Sequence, residues 1–129
     1  MKLALPSAAA VLASAVLLLA APARAGEAPK KTVALVAQGK ASYETNCAAC
    51  HGDAGLGDGV AGEALDPKPR NLVTGTYRKP PTPAGIHATL EKGIDGTTMV
   101  SFAHLPPDEL WALTYYVLEL RQAKGKAKK

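Results

Sequence analysis

The chain has 129 residues, a length that fits one domain once its N-terminal segment is set aside. Its formal net charge is +4, but four of its 15 Lys and Arg residues lie within residues 124–129. No basic stripe is interleaved with aromatic residues, so the chain lacks the profile of a nucleic-acid-binding protein and we expect no nucleic-acid partner.

Residues 1–25 have the pattern of a cleaved secretory signal peptide. A basic start precedes a run of small and apolar residues over 8–19, and Ala23 and Ala25 supply the small side chains of a signal-peptidase site. The alternative is an uncleaved anchor, since residues 3–23 could almost span a bilayer. We expect cleavage near Ala25, a periplasmic or secreted location, and no membrane span in the mature chain.

The N-terminal part of the mature chain is predicted to be a linker followed by a helix. Residues 26–32 form the linker, and the domain itself is predicted over residues 33–122. Helical periodicity over residues 33–49 predicts the first helix. Glycine inside a helix lowers its stability, so Gly39 predicts the close approach of another helix at this point.

The middle of the chain is dominated by loops. Residues 52–82 are rich in glycine and proline, so only a short helical turn around residues 60–65 is expected there. A second helix is predicted over residues 83–92, with proline at its start and Gly93 at its end. Loops of this length need a reason, and wrapping around a large ligand is one.

The strongest helical pattern begins at Pro107 and is predicted to end at Gly125. Residues 123–129 are expected to form a Lys-rich tail. Because no alternating strand pattern occurs in the sequence, the fold class is predicted to be all-α, with three to five helices joined by long loops. One apolar stripe of the last helix contains Leu110, Leu113, Val117 and Leu120.

The two cysteines of the chain belong to the motif Cys47-Ala-Ala-Cys50-His51. A disulfide between residues three apart would close a very small loop and stabilise the fold little. A structural zinc site needs four ligands, and His87 and His104 show no ligand-pair spacing. The third interpretation is covalent attachment of a c-type haem, for which C-x-x-C-H is the signature.

The chemistry of haem attachment explains this spacing. Two thiols one helical turn apart add to the two vinyl groups of one porphyrin, and the imidazole that follows them can bind the iron. The motif therefore predicts one haem c, held through Cys47 and Cys50, with His51 as an iron ligand.

The sixth position of the iron has three candidate ligands. Met99 lies in a loop of glycine and threonine, where glycine lets the backbone approach a bound group closely. A methionine that only filled the core would more often lie on an amphipathic helix, which favours Met99 as a ligand. His104 is close to it in sequence and His87 lies on the second helix, so both remain as alternatives.

Together these motifs resemble those of class I, single-haem cytochromes c, and the resemblance covers about residues 33–121. Within that family the chain is similar to small bacterial periplasmic cytochromes and to the haem domains attached to terminal oxidases. The resemblance implies that the first and last helices cross at Gly39. It rests on Gly39-x-x-x-Tyr43-x-x-x-Cys47-Ala-Ala-Cys50-His51-Gly52, Pro69-Arg70-Asn71-Leu72, Gly93-x-x-Gly96-Thr97-x-Met99-x-x-Phe102 and Leu110-Trp111-Ala112-Leu113-x-x-Tyr116-Val117.

The same resemblance implies roles for the residues around the haem. His51 and Met99 would bind the iron from its two sides. A proline carbonyl would accept a hydrogen bond from the Nδ1–H of the histidine, and we expect Pro69, with Pro67 as the alternative. The family often has an arginine at the position of Arg70 that reaches a haem propionate, and Arg70, Tyr77 and Arg78 are the candidates here.

One departure from the family pattern concerns the loop of the methionine. Relatives often carry proline beside the ligand, whereas Met99 is flanked by Thr98 and Val100. Because proline restricts the conformations of a loop, its absence predicts a looser Met99 loop.

The function implied by the resemblance is single-electron transfer in the periplasm by a monomer, rather than catalysis. The expected partners are redox proteins such as a membrane oxidoreductase and a terminal oxidase or reductase. Two alternatives remain. One is a haem-based ligand-binding or catalytic protein with an open or labile distal site, and the other is a fixed haem-relay subunit of a membrane complex.

Overall fold

The computed structural model describes residues 27–126, with side chains described as far as Ala123. The predicted signal peptide and the end of the Lys-rich tail lie outside this part of the chain. Within it the structure is helical and contains no strand, which confirms the predicted all-α class. In chain order the elements are α1 (Val33–Asn46), α2 (Ala48–His51), a 3₁₀ turn (Val60–Gly62), α3 (Pro83–Lys92) and α4 (Pro107–Lys126).

The first predicted helix is divided into two elements. The Thr32 side chain caps α1 by accepting a hydrogen bond of 3.1 Å from the Leu35 amide. α1 then ends at Asn46, because Cys47 leaves the helical conformation with φ −124° and ψ −36°. The Cys47 carbonyl accepts from the amides of the fourth and third residues after it, and α2 starts there. The break redirects the chain at the first cysteine.

The two later helices follow the predicted bounds closely. α3 covers the predicted residues, is capped by Thr82, and ends where Gly93 takes a positive φ of 72°. α4 begins at Pro107 as predicted but continues through Gly125 to Lys126, so the first residues of the expected tail belong to the helix. The short 3₁₀ turn lies where a helical turn was expected.

α1 and α4 pack against each other through Gly39, as the sequence predicted. A Cβ placed on Gly39 would lie 2.0 Å from the Ala112 carbonyl oxygen and 3.0 Å from the Tyr116 Cβ. Any side chain at this position would therefore push the two helices apart. Beside the crossing, Tyr43 and Leu113 are completely buried and form the centre of the core.

The linker before α1 contacts α4. The Tyr115 hydroxyl donates a hydrogen bond of 2.6 Å to the Pro29 carbonyl, and Lys31 forms an ion pair with Glu119. These contacts hold residues 27–32 beside the last helix. Among residues 27–126, no helix has both the length and the apolar composition needed to cross a membrane.

The buried Tyr43 also joins α1 to the end of α2, because its hydroxyl donates a hydrogen bond of 2.7 Å to the Gly52 carbonyl. Burial is the main cause that raises the pKa of Tyr43 above its usual value of 10.0, and the neighbouring Cys47 adds to it. The folded protein therefore holds this proton more strongly than the unfolded chain. The stabilisation is complete below about pH 10 and is lost as the pH rises above that value.

We expect Tyr43→Phe to lower the free energy of unfolding at neutral pH by about 1 kcal/mol, because one buried hydrogen bond is lost. We also expect the variant to lose less of its remaining stability than the wild type between neutral pH and a pH of about 10.5. Urea denaturation of both proteins at the two pH values measures this. Parallel alkaline losses in the two proteins would show that Tyr43 is not a source of the pH dependence.

Candidate functional site

A cavity of about 600 Å³ lies between α2, α3, α4 and the long loops, a volume within the range of small-molecule and cofactor sites. Four groups singled out in the sequence, those of Cys47, Cys50, His51 and Met99, line this one cavity. The rest of its wall is largely apolar. Its apolar side chains include Leu65, Leu72, Ile86, Leu90, Phe102 and Val117.

His51 is oriented by a backbone carbonyl. Its Nδ1 atom lies 3.0 Å from the Arg70 carbonyl oxygen, and in the neutral tautomer that donates this bond Nε2 is left for a metal. Burial lowers the pKa of His51 and so favours the neutral ring. The hydrogen bond to Arg70 acts in the opposite direction on the pKa, while the Arg70 charge lowers it further.

The structure places this acceptor at Arg70 rather than at the expected Pro69. The Pro69 carbonyl oxygen instead lies against Gly57, where an added Cβ would approach it to 2.6 Å. The Pro69 ring packs beside Gly62 in the 3₁₀ turn. Because Pro69 is held by these two glycines, the next carbonyl along the chain is the one that meets His51. Pro67 lines the cavity but does not supply the acceptor either.

Cys47 immediately precedes α2, Cys50 lies within it, and no disulfide joins the two residues. Cys47 is buried and Cys50 is half-buried. Burial, followed by the proximity of Cys50, raises the pKa of Cys47 to about 11. Redox-active Cys-x-x-Cys pairs need a lowered pKa, so this environment argues against a thiol–disulfide exchange site.

The zinc interpretation also finds no support in the geometry. Within the part of the chain that the structure describes, no three side chains of His, Cys, Asp or Glu come together as a metal-binding group. Neither His87 nor His104 lines the cavity. His87 stacks on Trp111 with ring centroids 3.9 Å apart, and the His104 ring lies 5.9 Å from that of Phe102. Of the three candidates for the sixth ligand, the cavity therefore contains Met99.

Arg70 contributes its side chain as well as its carbonyl. Its guanidinium carbon lies 5.6 Å from the centre of the Tyr77 ring, and Arg121 approaches the same ring to 4.9 Å. Tyr77 lines the cavity, and its hydroxyl donates a hydrogen bond of 2.8 Å to the Leu72 carbonyl. Both arginines thus support one aromatic side chain of the cavity wall.

Arg121 was not predicted as a site residue. It donates a hydrogen bond of 3.0 Å from Nη1 to the Gly75 carbonyl and so ties α4 to the loop in front of the cavity. The sequence does contain an indication of this role, because Arg121 follows Val117 by four residues and Val117 lines the cavity. Residues four apart share one face of a helix.

The cavity has one further chemical property, an excess of cations. Asp95 is the one carboxylate in its lining, within the described residues, whereas five basic side chains take part. Except for the half-buried Arg70, these cations are exposed to solvent. The basic residues of the lining are Lys68, Arg70, Arg78, Lys79 and Lys92.

The donor set of this cavity fits a covalently attached haem. It contains two thiols one helical turn apart, an imidazole held through Nδ1, a thioether sulfur and walls that are mainly apolar. Thiols supply the covalent links, imidazole and thioether are the two ligand types of electron-transfer haem iron, and cationic side chains suit acidic substituents. The helical fold and this site define a c-type cytochrome domain of the class I kind, a class that works by haem-based electron transfer.

The comparison with known families makes the assignment more specific. The family described as cytochrome C oxidase, cbb3-type, subunit III matches residues 34–117, and the chain belongs to this family. No curated protein sequence matches the chain.

A solved structure also has this fold. It comes from the reducing HAO-like protein complex of Kuenenia stuttgartiensis, with a TM-score of 0.67 and 28% sequence identity. The match covers 77% of this chain and 47% of the other, so the chain spans about half the length of that relative.

Proposed function

We propose that the protein is a periplasmic single-electron carrier that would hold one haem c through Cys47 and Cys50, with His51 and Met99 as the ligands of the iron. The main support for this proposal is that the side chains of these four residues line the same cavity. Cys47 lies between α1 and α2, Cys50 and His51 lie on α2, and Met99 lies in the loop after α3. The two competing histidines lie outside the cavity lining.

In this proposal the residues around the haem have distinct roles. Cys47 and Cys50 fix the group covalently, and the Arg70 carbonyl keeps the His51 ring in one orientation. The apolar part of the wall would favour the less charged state of the site. A haem bound here supplies a one-electron change between ferrous and ferric iron, and a His/Met ligand pair raises its reduction potential.

The proposed location depends on the sequence of residues 1–25, which has the pattern of a signal peptide. Cleavage near Ala25 would release the domain without a membrane span. We propose that it exchanges electrons with a membrane oxidoreductase and with a terminal oxidase or reductase. Such transient redox contacts are small.

A second candidate is a fixed haem relay within a larger redox assembly. Two observations favour it, since the family is described by a subunit of an oxidase and the similar structure is part of a protein complex. The two proposals share the same site and differ in whether the protein shuttles between partners. Isolation from native membranes under mild conditions separates them, because a relay would stay with its complex and a carrier would be recovered alone.

The ligand assignment is tested by optical spectra of the protein with its haem attached. We expect a far-red ferric band from the iron–sulfur bond of Met99 and no change when CO is added to the ferrous form. Met99→Ala should lose the band and bind CO, because the sixth position opens. His104→Ala is the control and should keep the wild-type spectra.

Two results would contradict this assignment. Ready CO binding by the wild-type protein would favour a ligand-binding or catalytic function with an open site. A Met99→Ala variant with unchanged spectra would show that another group holds the sixth position.

A further inference from the structure

Met99 lies in the loop between α3 and α4, and both its backbone amide and its backbone carbonyl form hydrogen bonds within that loop. The Ile94 amide donates a hydrogen bond of 2.9 Å to the Met99 carbonyl, and the Met99 amide donates one of 3.1 Å to the Thr97 hydroxyl. Residues 94–99 therefore form a closed turn, and Met99 is fixed on both sides of its Cα atom.

The Thr97 hydroxyl has a second bond that closes this turn from within. The hydroxyl donates a hydrogen bond of 2.8 Å to the Ile94 carbonyl and at the same time accepts the hydrogen bond from the Met99 amide. One oxygen thus joins the first residue of the turn to the last. Thr97 is half-buried, whereas Thr98 and Val100 on the two sides of the methionine are exposed.

The end of the loop after Met99 is anchored independently. The Ser101 hydroxyl donates a hydrogen bond of 2.6 Å to the Glu91 carbonyl at the end of α3, and the Phe102 amide donates one of 2.8 Å to the Leu90 carbonyl. The chain after Met99 also packs against Gly93, where an added Cβ would lie 2.7 Å from the Met99 carbonyl oxygen. With this end fixed, the freedom that remains in the loop is that of residues 94–99.

We propose that Thr97 is the positioning residue for Met99. Its hydroxyl supplies, through two hydrogen bonds, the constraint that a neighbouring proline would supply through its ring. The sequence alone predicted a loose loop because it showed the missing prolines and not these bonds. The proposal rests on the proposed role of Met99 as an iron ligand, which its test examines separately.

The test compares variants that remove or keep the hydroxyl. Thr97→Val has a similar shape and no hydroxyl, whereas Thr97→Ser keeps it. Thr45→Val is the matched control, because the exposed Thr45 hydroxyl bonds to the Ala41 carbonyl at 3.2 Å within α1, away from the cavity. Thr97→Ala serves as a second hydroxyl-free variant if valine is not accommodated.

Imidazole binding to the ferric protein measures how easily Met99 leaves the iron. We expect Thr97→Val to bind imidazole about tenfold more tightly than the wild type, in line with the loss of two hydrogen bonds. Thr97→Ser and Thr45→Val should bind it like the wild type. The far-red ferric band of Thr97→Val should also disappear at a lower temperature.

Amide hydrogen exchange gives a readout that does not depend on the iron. The Met99 amide should exchange about tenfold faster in Thr97→Val than in Thr97→Ser, because it has lost its acceptor. If the two variants had equal exchange rates and equal imidazole affinities while the wild type showed the far-red band, the role of Thr97 would be overturned and the assignment of Met99 as a ligand would stand. A wild-type protein without the band would overturn the ligand assignment and this proposal with it.

Discussion

Replacement of both Cys47 and Cys50 by alanine is expected to abolish the covalent attachment of haem. Cys50 lies on the short helix α2, Cys47 immediately precedes this helix, and both line the same cavity as His51. They are the only cysteines of the chain, so no other thiol can take their place. In the wild type the haem should stay with the polypeptide in denaturant and give a haem-stained band on a denaturing gel. In the double variant this band should be absent.

The single variants provide the matched controls for this experiment. Cys47→Ala and Cys50→Ala each keep one thiol and should retain a haem-stained band at reduced yield. Peptide mass analysis would locate the link that remains. A wild-type protein whose haem is removed by denaturant would contradict the covalent site, and so would a double variant that keeps its stained band.

Replacement of Gly39 by alanine should lower the free energy of unfolding by about 3 kcal/mol, at the upper end of the usual cost of overpacking. The added methyl group would lie 2.0 Å from the Ala112 carbonyl oxygen, which belongs to the backbone of α4 and cannot rotate away. α1 and α4 must then separate, and the buried contacts beside the crossing are weakened. Urea denaturation of the protein with its haem attached measures the change.

Gly96→Ala separates this packing effect from the general consequences of a glycine substitution. Gly96 has a positive φ of 73°, and a Cβ added there would have no atom within 4 Å. We expect a loss of only about 1 kcal/mol, from backbone strain alone. If the two variants were equally destabilised, the tight crossing of α1 and α4 would not be the cause.

Much of the fold could be predicted because its local signals agree with its packing. The Pro and Gly residues at the two ends of α3 mark its bounds, and the glycine in the first helix has the close helical neighbour that its position predicted. The Cys-x-x-Cys-His motif indicated the haem site because the chemistry of c-type haem attachment requires these residue types at this spacing. Each of these features could be predicted because the residues that determine it are close together in the sequence.

Other features depend on contacts between distant parts of the chain. The helix break at Cys47 has no proline or glycine to mark it. The acceptor for His51 is Arg70 because Pro69 is held between Gly57 and Gly62, a packing arrangement that the sequence does not show. The hydrogen bonds of Thr97 could not be predicted from the sequence either, because a threonine hydroxyl in a loop can bond to many different backbone groups.

The crossing of α1 and α4 also has a consequence for how the chain acquires its structure. Gly39 near the start meets Ala112 and Tyr116 near the end, so the central contact of the core joins the two most distant helices. Contacts of such long range form slowly, because most of the chain must close into a loop before they are made. During synthesis the core cannot assemble until the last helix has emerged. Until then Cys47 and Cys50 lie on a chain without its core, where both thiols would be accessible for the proposed attachment of haem.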